Sequence, residues 1–403
     1  MPEPARLWIV SELYYPEMTS TGYYITTIAE GLAADRDVKV ICGQPNYAKR
    51  DVTALRHEVR KGVEILRSSG TRLNKNRIIN RVVNMLTLGT SVFLSCLNRL
   101  RRGDAVLVVT TPPVLPFFIA AASLIKGASY SLLVHDAYPE QLIAVGSLGV
   151  DSAPVRVLHF LNRWLYKHAA RIIVVGRDMD ELMRSKTTGL GIPVVCIPNW
   201  AELDAVGPTA RKGNALLDQL GLIDKFVILS AGNLGRPTDV ETIVECAALM
   251  RDDADVHFLI VGDGAKMPWL REQLKKRGLM NVTLAGPMPR EEQNVFLNAG
   301  DIGLITFVDG MLGAAVPSRL YNLLAARKPV VAVVDDRSEV ARVVREENVG
   351  CVVPLGNAEA LRLAILKMKS EQADLAEMGI RGRAAAESKY SADAAIAAYR
   401  EAL

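Results

Sequence analysis

Short apolar runs alternate with helix-length stretches along the whole chain, and this alternation limits the fold more than any single motif does. Each run is rich in aliphatic residues and ends near glycine, proline or a polar residue, which is typical of a buried strand. Continuous apolar runs of this kind indicate parallel strands covered by helices. In the first half they are LWIV (7–10), VKVICG (38–43), AVLVVTT (105–111), SYSLLVHD (129–136) and RIIVVG (171–176).

A second series of runs starts at residue 226 and predicts a second sheet of the same kind. Its members are FVILSAGNLG (226–235), VHFLIVGDG (256–264), VTLAG (282–286), IGLITF (302–307), PVVAVV (329–334) and GCVVP (350–354). At 403 residues the chain also exceeds what one core usually supports. The sequence predicts an α/β protein of two doubly wound domains, with the polar, glycine-bearing segment 207–221 as their linker.

Composition narrows the class of protein. Half of the residues are hydrophobic, so two large cores can form. The net charge of +4 argues neither for nor against a nucleic-acid partner, and none is predicted. Five cysteines lie far apart without paired metal spacing, which fits a reduced cytoplasmic protein. No signal peptide is expected, because Met1–Arg6 lead straight into the strand-like LWIV.

Two apolar stretches, 82–97 and 114–125, are shorter than the roughly 20 residues that a membrane-spanning helix needs. Basic residues flank the first stretch, as in an interfacial helix that lies on anionic lipid. A buried helix with basic ends explains the same pattern, and both interpretations stay open. The flanking residues are Arg72, Lys75, Arg77 and Arg81 on one side and Arg99, Arg101 and Arg102 on the other.

Residues that directly follow strands are the first candidates for a site, because open α/β sheets bind ligands outside the carboxyl ends of their strands. Glycines there let the backbone approach a diphosphate, and an arginine provides a planar charged fork. A plain turn with an exposed arginine is the alternative. Met267 stands where a dinucleotide fingerprint would have its third glycine, so no dehydrogenase is predicted. The candidates in the second series are Gly232, Gly235, Arg236, Gly262 and Gly264.

A Pro-Ser-Arg turn at 317–319 is predicted to open a short helix that binds an anion. Pro317 and Ser318 suit the cap region. The first N–H groups of a helix lack internal partners and its dipole favours negative charge, so a phosphate beside Arg319 would satisfy both. An ordinary capped helix that carries a surface arginine explains the segment equally well.

In the first half, His135 and Asp136 stand together at the end of the fourth strand. A structural histidine and a helix-capping aspartate are the alternatives to a functional pair. The opposite wall of the site is expected from the loop after the first strand, where Gly22 allows a ligand to come close. Glu17 in that loop is interpreted as a solvated charge rather than a functional group.

Taken together, these segments resemble the retaining glycosyltransferases of family 4, which have the GT-B architecture of two facing Rossmann-like domains with a cleft between them. Within the family the chain looks most like bacterial enzymes of colanic acid, capsule and O-antigen synthesis. The resemblance runs nearly end to end and is carried by YYPEMTSTGYY, HDAYPE, IPNW, SAGNLGR, VGDGAKMPWL, LAGPMPREE and VPSRLYNLLAARKPVVA.

The resemblance implies an acceptor-side domain over 1–205 and a donor-binding domain over 206–383. The last helix, over 384–403, is amphipathic and would cross back onto the first domain. It would then act as a hinge that opens and closes the cleft, and a simple terminal packing helix is the alternative.

The resemblance also implies roles for the candidate residues. Arg236 and Arg319 would bind the donor diphosphate with N–H groups near Ser318 and Leu320, stabilising the departing nucleotide without a metal or a cofactor. His135 and Asp136 would meet the sugar. The loop 286–289 would hold the base through its backbone. The residues expected to line the donor and the acceptor side are Gly22, Gly232, Gly235, Gly262, Gly264, Pro287, Met288, Pro317, Ser318, Leu320 and Asn322.

Three positions depart from the family pattern. Much of the family carries two glutamates eight positions apart, where this chain has Ala314 and Asn322. Asn322 is still expected to hydrogen-bond a ribose hydroxyl as a neutral donor and acceptor. A lysine common a few residues after the Arg236 position is also missing, and Thr238 and Asp239 stand in that stretch.

The expected function is transfer of a sugar, with retention, from a UDP- or GDP-sugar to a growing polysaccharide or a lipid-linked oligosaccharide. The protein would act in the cytoplasm, at the inner face of the membrane. Two alternatives stay open. A sugar-nucleotide epimerase or hydrolase would turn over the donor alone, and a binding subunit of a polysaccharide assembly complex would bind nucleotide without turnover.

Overall fold

The computed structural model describes residues 6–17, 19–45, 53–73 and 78–403. Lys75 and Arg77, two of the predicted flanking charges, lie outside the described residues, and so do Met1–Ala5 of the segment that precedes the first strand. The chain divides into two compact units. The first comprises the described residues of Met1–Pro139 with Val150–Pro198 and Asp393–Leu403, and the second comprises Glu140–Gly149 and Asn199–Ala392.

The first unit is built on an eight-stranded sheet with the strand order β3-β4-β2-β1-β5-β6-β7-β8. All neighbouring strands are parallel except β3 and β4, which form an antiparallel hairpin. The strands are β1 (Leu7–Ser11), β2 (Val38–Cys42), β3 (His57–Arg60), β4 (Val63–Arg67), β5 (Ala105–Val109), β6 (Ser129–Val134), β7 (Arg171–Val174) and β8 (Val194–Cys196). The helices up to this point are α1 (Ser20–Leu32), α2 (Ile78–Arg99), α3 (Leu115–Lys126), α4 (Glu140–Ala144), α5 (Ala153–Lys167) and α6 (Arg177–Lys186), of which α4 belongs to the second unit.

The second unit holds a six-stranded parallel sheet with the order β11-β10-β9-β12-β13-β14. Its strands are β9 (Phe226–Ala231), β10 (Val256–Val261), β11 (Val282–Gly286), β12 (Ile302–Thr306), β13 (Val330–Val333) and β14 (Gly350–Val353). Its helices are α7 (Ala215–Leu220), α8 (Val240–Leu249), α9 (Met267–Arg277), α10 (Gln293–Asn298), α11 (Arg319–Ala325), α12 (Glu339–Glu346), α13 (Ala358–Ser370) and α14 (Gln372–Ser388), with one 3₁₀ turn at Arg290–Glu292. The last helix, α15 (Ala392–Ala402), starts at the final residue of this unit and continues into the first.

Every strand predicted from an apolar run is present, and the predicted α/β class of two doubly wound, Rossmann-like domains is confirmed. The sequence pattern missed β3, β4 and β8. The β3–β4 hairpin turns at Lys61 and Gly62, whose positive φ values of 45° and 81° suit a two-residue hairpin. Since β3 lies at the sheet edge and alternates between exposed and half-buried residues, it lacks the apolar run that identified the other strands.

The predicted linker 207–221 is wrong, because this segment is held firmly to the second unit. The guanidinium of Arg211 donates to both carboxylate oxygens of Asp301 at 2.8 Å and also to backbone carbonyls of 222–225. The end of the segment forms α7, which Asn214 caps through its side chain. Its polar, glycine-bearing composition therefore reflects a surface turn with a half-buried anchor and not a free connection.

The single terminal helix expected over 384–403 is also wrong, since the chain forms two helices there. Helix α14 ends at Ser388 and α15 begins at Ala392. Tyr390 lies between them and is buried, its carbonyl accepting from the N–H of Ala201 at 2.8 Å. The residues from Asp393 onward belong to the first unit, where Ile396 packs directly against the backbone of Gly31. The break coincides with the change of unit.

Among the described residues, the helices are too short or too polar to cross a bilayer. Helix α2 covers the first of the two apolar stretches, and it has buried side chains as well as exposed ones.

Candidate active site

Glycines join the carboxyl ends of three neighbouring strands in the second unit. Gly232 follows β9 and its N–H donates to the carbonyl of Val261 at 2.8 Å. Gly262 follows β10 and its N–H donates to the carbonyl of Gly286 at 2.7 Å. Both have positive φ, 129° and 142°, which L-residues with side chains rarely adopt. The backbone turns therefore lie against each other with no room for side chains between them.

We expect Gly262→Ala to lower the free energy of unfolding by about 3 kcal/mol, through strain at its φ and a collision. A Cβ at this position would stand 1.9 Å from the carbonyl oxygen of Gly232. Gly278→Ala is the matched control, because Gly278 also has a positive φ, 62°, but a Cβ there would meet no atom within 4 Å. Urea denaturation measures both variants, and equal losses would show that close packing at Gly262 contributes nothing.

The two loops that follow β9 and β10 are also joined by backbone hydrogen bonds. The N–H of Leu234 donates to the carbonyl of Asp263 at 2.9 Å, and the N–H of Lys266 donates back to Leu234 at 3.0 Å. A Cβ at Gly264 would lie 2.4 Å from the carbonyl group of Leu234, whereas one at Gly235 would touch the Asn233 side chain at 3.2 Å. Gly264 is thus required for close approach, and Gly235 lies in a looser part of the turn.

Arg319 lies beside this glycine turn. A Cβ built on Gly232 would be 3.4 Å from the guanidinium carbon of Arg319, and Gly232 itself is exposed to solvent. The Nη1 atom of Arg319 is buried and has no hydrogen-bond partner among the described residues. Burial lowers the pKa of the guanidinium to about 10. A half-buried guanidinium with one buried, unpaired nitrogen, next to an accessible backbone turn, is an arrangement that an anion would complete.

The start of α11 differs from the predicted capped terminus. Ser318 already has helical dihedrals, φ −61° and ψ −21°, and its side chain makes no capping hydrogen bond. The N–H of Leu320 donates to the carbonyl of Pro317 at 3.2 Å, so this donor is used inside the turn. The helix has only seven residues. The guanidinium of Arg319, rather than the helix terminus, is therefore the stronger candidate for an anion-binding group in this segment.

Arg236 is exposed, and its Nη1 donates to the hydroxyl of Ser147 at 3.0 Å. Ser147 lies in Glu140–Gly149, the segment that leaves the first half of the sequence to join the second unit. In the stretch where the family's lysine is missing, Thr238 donates to the carbonyl of Asn233 at 3.1 Å and Asp239 caps α8. Both residues shape the loop that carries Arg236.

Asn322 is held in a polar cluster that the sequence did not reveal. Its Nδ2 donates to Oε1 of Glu202 at 2.7 Å, and its Oδ1 accepts from the backbone N–H of Glu202 at 2.9 Å. Glu202 is buried and also accepts from the Arg290 guanidinium and, at 2.9 Å, from Nε2 of Gln293. Ala314, at the second position where the resemblance implies a glutamate, is fully buried. The structure thus gives the Asn322 amide protein partners on both its oxygen and its nitrogen.

In the first unit, His135 lies at the end of β6 with its Nε2 buried and unpartnered among the described residues. Burial lowers its pKa to about 4, so the imidazole is neutral at neutral pH. The ring stands edge-on to Tyr24 with centroids 6.5 Å apart. Asp136 follows, and its Oδ2 accepts from the hydroxyl of Thr111 at 3.0 Å. The pair therefore combines a neutral imidazole with an oriented carboxyl group.

Gly22 sits in the first turn of α1, pressed against the preceding loop. A Cβ there would be 2.3 Å from the carbonyl oxygen of Glu17, and the N–H of Gly22 donates to the capping hydroxyl of Thr19 at 3.3 Å. The interpretation of Glu17 as a solvated charge is wrong, because the residue is only 1% exposed. Gly22 fixes how this loop, at the carboxyl edge of the first sheet, approaches the helix.

The remaining candidates are single positions. Gly286 has a positive φ of 75°, Pro287 after it is exposed and Met288 is half-buried, so their role with the base stays a prediction. Within the described part of the chain, no three His, Cys, Asp or Glu side chains are grouped as metal ligands. A cavity of about 340 Å³ in the first unit is lined by none of the predicted site residues, and its lining includes Arg56, Glu64, Arg67 and Arg99.

Comparison with known proteins defines the class. The chain matches the model described as glycosyl transferases group 1 over residues 225–371 and the glycosyl transferase 4-like domain over residues 20–200. The fold is that of Anabaena HepE in complex with UDP and glucose, with a TM-score of 0.73, 14% identity and 99% coverage of each chain. The two parallel α/β sheets thus have the GT-B fold.

Sequence similarity narrows this to a family. The chain is 30% identical to the probable glycosyltransferase WbjE of Pseudomonas aeruginosa over 387 residues, which cover 96% of this chain and 94% of WbjE. It is 26% identical to the putative colanic acid biosynthesis glycosyl transferase WcaI of Escherichia coli K12, over 82% of this chain and 83% of WcaI. The chain belongs to the family 4 glycosyltransferases, and the resemblance seen in its motifs is confirmed.

Proposed function

We propose that this glycosyltransferase moves a sugar, with retention, from a UDP- or GDP-sugar to a growing cell-surface polysaccharide or a lipid-linked oligosaccharide. The observation that carries the proposal is the buried, unpaired Nη1 of Arg319 beside the exposed turn at Gly232. A nucleotide diphosphate is the part of the donor that such a pair would bind. The complex of HepE with UDP and glucose supports testing UDP-sugars first.

In the proposed reaction, the bond between the anomeric carbon and the diphosphate oxygen breaks while the acceptor oxygen bonds to the same face of that carbon. The leaving phosphate oxygen takes the proton of the acceptor hydroxyl. Arg319 and Arg236 stabilise the negative charge that develops on the diphosphate, and no metal or other cofactor is required. The neutral imidazole of His135 and the carboxyl group of Asp136 hold hydroxyl groups of the sugar. Gly22 lies on the acceptor side.

The names of the relatives support the acceptor class. WcaI is described for colanic acid biosynthesis, and a bacterial surface polysaccharide or its lipid-linked precursor is the acceptor that we propose here. Such an acceptor would place the protein in the cytoplasm, at the inner face of the cell membrane. Neither a nucleic acid nor a protein-bound nucleotide cofactor has a role in this proposal.

We expect Arg236→Ala to lower sugar transfer by about tenfold or more, because a charge-assisted contact to the diphosphate is lost. The assay is incorporation of label from a panel of UDP- and GDP-sugars into lipid extract. Arg236→Lys should recover part of the rate, since it keeps the charge but loses the fork. Arg271→Ala, an exposed arginine on α9, is the matched control and should be unchanged.

The same assay separates the alternatives. Donor breakdown that needs no acceptor would replace the proposal with an epimerase or hydrolase. Nucleotide binding with no turnover of any donor would replace it with a binding subunit of an assembly complex. An Arg236→Ala variant with the wild-type rate would remove Arg236 from the diphosphate site.

A further inference from the structure

Three helices of the first unit contain no acidic residue. Together α2, α3 and α5 comprise 49 residues with six Lys or Arg and no Asp or Glu. The whole chain has 44 acidic residues among 403, so a stretch of this length would carry about five at the average frequency. The cations are Arg81, Arg99, Lys126, Arg156, Arg163 and Lys167. The outer surface of these helices is therefore purely basic in its charged groups.

Helix α5 also carries an apolar stripe that faces solvent. Val157, Phe160, Leu161 and Trp164 follow the spacing i, i+3, i+4, i+7, which places them on one side of the helix. All four are exposed, Phe160 to 74% and Trp164 to 37%. A different side of α5, which includes Val155 and Leu165, is buried against the unit. The helix thus has two apolar sides, and only one of them is used by the fold.

The three helices lie side by side on the same face of the sheet. Helix α3 connects β5 to β6 and α5 connects β6 to β7, and right-handed crossovers in one direction place both on one face. Helix α3 contacts both α2 and α5. A Cβ at Gly89 of α2 would lie only 2.6 Å from the ring of Phe118 in α3, so these two helices pack closely. Exposed apolar residues of α2 extend the surface: Ile79, Val82, Leu86 and Leu94.

We propose that this outward face of α2, α3 and α5 docks on an anionic lipid bilayer, with Phe160 and Trp164 as its anchors. Aromatic side chains suit the headgroup region, and the neighbouring cations suit negatively charged lipids. A second copy of the chain is a poorer occupant, because two acid-free basic faces would repel each other. The role of this docking rests on the proposed function, because docking would bring the enzyme to a lipid-linked acceptor.

The test is binding of the full chain to vesicles of phosphatidylcholine with about 30% phosphatidylglycerol, compared with phosphatidylcholine alone. We expect binding to the anionic vesicles to weaken at least about tenfold in the double variant Phe160→Ser with Trp164→Ser. Replacing Arg163 and Lys167 by Gln should weaken it about fivefold for each charge. Brominated lipid should quench the fluorescence of Trp164, and the Trp164→Phe variant should lose that quenching.

Leu363→Ser is the matched control, because Leu363 is an exposed apolar residue on α13 of the second unit and should not affect vesicle binding. Wild-type protein that ignores anionic vesicles, or a double variant that binds them equally well, would overturn the proposal. A dimer that the double variant abolishes, without vesicle binding, would assign the face to a second copy. Wild-type protein that binds anionic vesicles but turns over no donor would instead contradict the proposed function alone.

Discussion

Arg319→Ala is expected to lower sugar transfer by at least about a hundredfold while leaving the thermal stability unchanged or raising it. The two effects have one cause. In the free protein the Nη1 of Arg319 is buried without a partner among the described residues, so the folded state holds a poorly compensated charge. A bound diphosphate would compensate that charge. The additional negative charge that develops on the diphosphate during the reaction would be stabilised more strongly than the charge of the bound donor.

The cost in stability of burying the charge of Arg319 decreases at high pH. Burial lowers the pKa of Arg319 to about 10, below the value of an arginine in the unfolded chain, so the folded state holds this proton less tightly. The stability penalty is therefore fully present at neutral pH and is relieved only as the pH rises through 10. Arg319→Met, which keeps much of the apolar volume, should raise the melting temperature more clearly than Arg319→Ala does.

Labelled-donor turnover and calorimetry on the same preparations check both effects. Arg319→Lys should keep the fold and recover only part of the rate, since a lysine cannot make two parallel hydrogen bonds to a phosphate. A strong loss of stability in Arg319→Ala would show that the arginine is a structural anchor. A variant with the wild-type turnover rate would remove the diphosphate assignment.

The fold was largely predictable because its signals are local. Parallel strands are apolar along their whole length, so most of them were recognisable in the sequence, whereas the edge strand β3, with exposed residues in alternation, was not. The linker prediction failed for the opposite reason. Glycine and charge are local signs of a free segment, but Arg211 is fixed by Asp301, which is 90 positions away.

The candidate site was predictable where backbone geometry demands a residue type. Gly262 and Gly264 are glycines because a neighbouring carbonyl occupies the space of a Cβ. Their position after β10 could be predicted from the sequence. The hydrogen-bond partners of the side chains could not be predicted from the sequence. Asn322 and Glu202 are 120 positions apart, and nothing in the segment 197–202 marks a carboxylate that reaches α11.

This contact gives both the nitrogen and the oxygen of the Asn322 amide a partner, at a position where the resemblance to the family implies a glutamate. The carboxylate of Glu202 lies 2.7 Å from Asn322 Nδ2, so an acidic residue at 322 would place two negative charges in contact. Asn322→Asp should therefore destabilise the protein. The exchanged pair, Asn322→Asp with Glu202→Gln, should recover most of that loss, because it again combines one carboxylate with one amide.

The largest loss of stability is expected for Glu202→Ala, at about 3–5 kcal/mol, because the Arg290 guanidinium and the amides of Asn322 and Gln293 would all lose their acceptor. Urea denaturation with a two-state fit measures the effect. Glu202→Gln, which keeps the shape but turns one acceptor into a donor, should lose less. Glu241→Ala, whose pair with Lys266 is half-exposed, is the surface control and should change stability by less than about 1 kcal/mol. If Glu202→Ala behaved like that control, the cluster around Asn322 would not hold Glu202, near the start of the second unit, to α11. Asn322 would then be available to bind the donor.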